Sequence, residues 1–99
     1  MVCLGIRGAI TVDINSEDAI LQATRQLLEK IVLANQLAIE DIAGIYFTAT
    51  PDLNAAYPAR AARELGWTNT ALMCSQEMIV TDSIARCIRV LILWNTHVS

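Results

Sequence analysis

The run CIRVLILW, residues 87–94, constrains this chain more than any other stretch. It is a continuous apolar segment broken only by Arg89. Extended back to Ile84, it reads as one long strand, and it is far too short to cross a bilayer. A guanidinium buried in such a strand is costly unless it is paired. Arg89 therefore reads in one of three ways: an arginine snorkelling off the sheet, an internal ion pair with Glu77, or a cation preorganised for an anion. Arg7, in VCLGIRGAI, repeats the pattern between Gly5 and Gly8. There the backbone can approach a ligand closely, although a plain edge-strand arginine would look the same.

The surrounding pattern supplies the rest of a small sheet. Val2, Leu4 and Ile6 alternate with Cys3, Gly5 and Arg7, the period of a strand over 2–7 with Arg7 on the small-residue face. Ser16 followed by Glu17 and Asp18 starts a helix, and Ile20, Thr24, Leu27, Leu28 and Ile31 keep helical spacing towards Asn35. After a polar connection at Glu40 and Asp41, residues 45–50 form a second strand that ends at the turn cluster TPDLN. Pro58 suits a first helical turn, residues 59–65 continue it, and Gly66 is placed to end it. Residues 70–74 make a brief third strand, 75–83 a polar and mixed stretch, and 84–94 the long strand. The order strand, helix, strand, helix, strand, strand implies a single α+β domain over 1–99. Its architecture is a two-layer mixed sheet with both helices on one face. The other face would then need a second subunit.

Composition sharpens this. A chain of 99 residues that is 55% hydrophobic is unusually apolar for a small monomer, so part of its surface is expected to meet other subunits. A net charge of −3 offers no basic field for nucleic acid or anionic lipid. Yet six of the seven cations are arginine, whose fork matches planar carboxylates. Cys3, Cys74 and Cys87 form neither a disulfide framework nor a zinc motif, and no charged, then apolar, leader opens the chain. A reduced, cytoplasmic protein bound to no membrane is the expectation.

Other candidates are individually ambiguous. Arg60 and Arg63 share a helix face and either rim an anion pocket or stay solvated, with Glu64 spaced to pair with Arg60. Tyr57 reads as a packing residue or a ligand wall, Cys74 as a buried thiol or a nucleophile with His97 as its base. Glu77, in CSQEM, has no nearby lysine to neutralise it. No phosphate loop, metalloprotease motif, serine-nucleophile elbow or aromatic stacking platform is present.

The segments GIRGAITVD, TATPDLNAAYPARAAREL, CSQEM and CIRV together resemble the AroH class of chorismate mutases, the trimeric type found in Bacillus. The resemblance covers nearly the whole chain in the family's order. It implies a pseudo-α/β-barrel homotrimer with active sites in clefts between adjacent subunits. The implied reaction is the Claisen rearrangement of chorismate to prephenate, without metal or cofactor. By the same resemblance Arg89 would donate to the developing ether oxygen, Arg7 would hold a carboxylate, and Glu77 and Cys74 would engage the ring hydroxyl. Tyr57, standing where the family has phenylalanine, would wall the ring, and Ala59 and Met73 would line the cleft. Arg60, in place of a lysine, and Arg63 would sit at its mouth.

Two departures accompany the match. The helix end reads ELGW where the Bacillus pattern reads ELSGW, and the chain stops at Ser99, before the family's last strand and C-terminal tail. An open, wetter cleft with weaker affinity is therefore expected. The competing expectations are a non-catalytic or weakly active trimeric dicarboxylate-binding module of the same fold, and an imine deaminase of related assembly.

Overall fold

The computed structural model describes residues 1–97. The strands are β1 (Val2–Thr11), β2 (Ile42–Ala49), β3 (Leu72–Gln76) and β4 (Cys87–Thr96), and the helices are α1 (Glu17–Asn35) and α2 (Ala59–Glu64). They form one four-stranded sheet in the order β1-β4-β2-β3. β4 runs antiparallel to both β1 and β2, and β3 runs parallel to β2. The connections through α1 and α2 thus both join parallel strands and both move the same way across the sheet. Crossovers of this kind share one hand, so both helices land on the same face.

Each element has a local cause. The Ser16 side chain accepts the Ala19 N–H at 3.1 Å, capping α1, with Glu17 and Asp18 in the first turn. The helix ends when Gln36 turns left-handed at φ 53°, and the Leu37 N–H reaches the Val32 carbonyl. α2 closes the same way: Gly66 sits at φ 91°, and the Trp67 N–H bonds the Ala62 carbonyl. Ala59, Ala61 and Ala62 are its buried positions, small enough to bring the helix close to the sheet. Leu27, Leu28 and Ile31 of α1 pack with Ile45, Phe47, Val90 and Ile92 of the sheet. No helix among the described residues is long and apolar enough to cross a membrane.

The strands differ from expectation at their ends. β1 runs on to Thr11 because all ten of its residues pair with β4. β3 lies two residues later than 70–74, in register with Ile45 to Ala49. β4 does not begin at Ile84. Asp82 and Arg86 take positive φ values of 63° and 46°, which no strand tolerates, and Ile84 is exposed.

Hydrogen bonds outside the ladder also hold the start of β4. The Asp52 carboxylate accepts the Arg86 N–H at 3.0 and 3.2 Å and the Thr50 hydroxyl at 2.5 Å. The Thr50 oxygen also accepts the Cys87 N–H at 2.9 Å. The Thr50 hydroxyl is the main reason the Asp52 carboxyl sits below its usual pKa; burial opposes it, and the Arg86 N–H adds to it. With the folded pKa depressed, the stabilisation is complete above the unfolded value near 3.8 and is lost as pH falls through the folded one. The melting temperatures of wild type and Asp52→Asn should therefore converge between about pH 5 and pH 2. A constant gap across that range would contradict the assignment.

Gly8 lets α1 seat on β1. A Cβ there would meet Ile31 Cδ1 at 2.8 Å and Leu27 Cδ1 at 3.0 Å. Both atoms are flexible ends that can shift, so Gly8→Ala should cost about 1 kcal/mol in denaturant unfolding, at the lower end of overpacking effects.

Candidate active site

Strand alternation decides which side chains face away from the helices. The ladder aligns Arg7 with Leu91, Leu91 with Tyr46, and Tyr46 with Met73 in one row across the sheet. The next row runs Ala9, Arg89, Thr48, Ser75. Tyr46, Met73 and Leu91 are all exposed on this open face. Arg89 is therefore not buried in an apolar strand: its side chain is 51% exposed, because its neighbours Ile88 and Val90 take the covered face and leave it the open one.

Glu77 follows β3 and keeps the alternation, its N–H extending the ladder to the Ala49 carbonyl. That places its carboxylate on the open face, where Arg89 Nε donates to Oε1 at 2.9 Å and the Thr48 hydroxyl donates to the same oxygen at 2.9 Å. The ion pair weighed from the sequence is thus present. Register sets the two side by side on the open face. Both bonds fall on Oε1. Arg7, Thr48, Glu77, Arg89 and Tyr46 line one depression of about 570 Å³.

A second cavity of about 560 Å³ lies by the start of α2 and is lined by Tyr57, Arg60, Cys74 and the turn from Thr50 to Ala56 apart from Asp52. Tyr57 is 72% exposed at its edge. Cys74 points to the covered face, the opposite side from Glu77, and packs against the core. Burial pushes its thiol pKa up, only partly offset by the Ala59 N–H and the Arg63 charge. It is a protonated donor at neutral pH and not a nucleophile. His97 does not serve it: Cys74 pairs with Phe47 and Phe47 with Val90, and His97 lies roughly 20 Å further along at a strand's rise per residue.

Arg60 is already engaged. Its Nη1 meets Glu17 Oε1 at 2.9 Å and its Nε meets Glu64 Oε2 at 3.4 Å, the latter the pairing that spacing suggested. Arg63, on the next turn, is exposed. The two cavities share no lining residue. Sequence reasoning missed Thr48 and Glu17; both become visible only through register and through the packing of α1 against α2.

Comparison with known proteins follows the same lines. Residues 3–99 match the family described as chorismate mutase type I. The chain belongs to the type I chorismate mutases. It is 48% identical to the Bacillus subtilis chorismate mutase AroH over 99% of this chain and 78% of that protein. To the Thermus thermophilus AroH it is 50% identical, over 93% of this chain and 76% of that one. A solved chorismate mutase from Clostridium thermocellum superposes with a TM-score of 0.95 at 48% identity, covering 97% of this chain and 86% of the other. The α+β fold expected from the type I resemblance is therefore the fold observed.

The exposure of Arg89 generates a prediction about stability. An ion pair half in water contributes little, so Arg89→Ala should destabilise the fold by less than about 1 kcal/mol, a few degrees in melting temperature. A far larger drop would mark Arg89 as a structural residue.

Proposed function

We propose that this chain catalyses the rearrangement of chorismate to prephenate, a step toward phenylalanine and tyrosine, in clefts completed between copies of a homotrimer. Family membership supports the reaction, and one observation supports the cleft. The residues implied by the resemblance divide within one chain into two cavities, Arg7, Glu77 and Arg89 on the open sheet face and Tyr57, Arg60 and Cys74 beside α2. A substrate contacting both groups needs one from each of two subunits. The exposed apolar row Tyr46, Met73 and Leu91 is the kind of face that a second copy would cover.

The rearrangement breaks a C–O bond as a C–C bond forms within one molecule. It needs no proton transfer, so holding the folded conformer and stabilising the separating charge suffice. Arg89 has its Nε on Glu77, which aims its terminal nitrogens outward, and in this reading they donate to the ether oxygen as negative charge grows there. Glu77 Oε2 accepts from the ring hydroxyl while Arg89 and Thr48 fix Oε1. Arg7 binds a carboxylate. From the neighbouring subunit, the Cys74 thiol donates near the ring hydroxyl, Tyr57 walls the ring, and Arg60 and Arg63 draw the second carboxylate to the mouth. Met73, on the open face in the row of Arg7, belongs with the Arg89 half instead, and Ala59, buried in α2, supports the Tyr57 wall from behind. Residues 1–99 act in this reading as a single domain, and Cys3, Cys74 and Cys87, all unpaired, suit the cytoplasm.

Chorismate consumption followed by absorbance tests the reading. Purified protein should turn chorismate over, and Arg89→Ala should lose about a hundred- to a thousandfold in kcat/KM, the usual loss for one preorganised oxyanion donor. Unchanged turnover in that variant would sink the proposed role. A native mass corresponding to a single chain would undercut the shared cleft.

A further inference from the structure

The two half-sites meet at a carboxylate that belongs to neither. Asp52 lies in the turn after β2, between Pro51 and Leu53, which line the Tyr57 cavity. Its own oxygens reach the other way, to the backbone N–H of Arg86 at 3.0 and 3.2 Å. Arg86 is the last residue before β4 and sits at φ 46°, a left-handed conformation that an arginine adopts only when its surroundings hold it there. Three further bonds fasten the same point: Arg86 Nε to the Val12 carbonyl at 3.0 Å, the Val12 N–H to the Arg86 carbonyl at 2.8 Å, and the Cys87 N–H to the Thr50 hydroxyl at 2.9 Å. β4 leaves this clamp directly, and Arg89 is the first of its open-face side chains to reach the cavity with Glu77. The loop from Glu77 returns to the same clamp from its other end.

We infer that Asp52 is a positioning residue: by holding Arg86 left-handed it sets where β4 begins, and so aims Arg89 on the open face of its own subunit, toward the cleft that a neighbouring copy completes. The inference rests on the proposed reaction. Asp52 is itself exposed, and its one side-chain partner among the described residues is the Thr50 hydroxyl, so its contribution to folding is that of a surface hydrogen-bond acceptor. Its value to alignment is larger, because a shift of the order of 1 Å in a preorganised cation can cost a hundredfold in rate. A carboxylate suits the task. Oδ1 accepts the Thr50 hydroxyl and, at 3.2 Å, the Arg86 N–H, while Oδ2 takes the same N–H at 3.0 Å; an asparagine of the same shape sets an NH2 group, which cannot accept, against the Arg86 N–H on the shorter contact.

The test is steady-state kinetics of chorismate turnover on the full chain. Asp52→Asn should lower kcat about tenfold or more while KM stays within about threefold, since the substrate's carboxylates still find Arg7 and Arg60. Glycine adopts a left-handed backbone without steric penalty, so adding Arg86→Gly to Asp52→Asn should restore part of the lost kcat. A kcat for Asp52→Asn within twofold of wild type overturns the inference, and so does a loss that Arg86→Gly leaves untouched. Amide exchange on the wild-type protein provides a reading that needs no folded variant. The Arg86 amide should exchange at least about tenfold more slowly than that of Ala85, which has no acceptor among the described residues, and equal rates would overturn the clamp. Absence of turnover in the wild type would instead bring down the functional reading, which keeps the two failures apart.

Discussion

A sheet whose two parallel crossovers run the same way is covered on one side only, and the rest of this molecule depends on that asymmetry. The covered side takes the aliphatic alternates of every strand and builds a core dense enough that even the hydrogen of Gly8 is a packing requirement. The open side receives whatever alternates with them. Arginine and glutamate can therefore occupy the middle of a sheet at little cost to folding, because their heads stay in water while their neighbours are buried. Chemistry and stability are separated by a period of two.

The same asymmetry explains what could be read from the residues in advance. The element order, the extent of α1 from its Ser16 cap to Asn35, and the left-handed stop at Gly66 follow from local rules that need no tertiary knowledge. Arg89 was conspicuous for a reason that proved half right. A cation in an apolar run is a signal, but the run alternates faces, so the charge is half exposed and not buried. Its contact with Glu77 was one of three readings that sequence alone left open, and only the register between β2, β3 and β4 selects it. Thr48 was invisible for the same reason, being one residue among several in an ordinary strand until pairing sets it beside Glu77.

Where local rules failed, a tertiary contact had displaced them. The apolar letters at Ile84 and beyond suggested an earlier start for β4, but the grip of Asp52 on Arg86 forces a left-handed turn there and delays the strand to Cys87. Cys74 and Glu77, three residues apart, end on opposite faces of the sheet, which their proximity in sequence does not reveal. That separation is the physical basis for reading the site as shared.

The ion pair between Arg60 and Glu17 has a bearing on turnover as well as on recognition. Where a substrate carboxylate competes for the nitrogens that Glu17 and Glu64 hold, one bond is exchanged for another. Such an exchange is close to neutral in energy, and it runs as easily backwards. For a reaction whose product carries the same two carboxylates as its substrate, a cation that bound anions tightly would retain the product. In the proposed reading Glu17 is a resident competitor for the guanidinium, and the mouth of the cleft would work as a revolving door and not a trap.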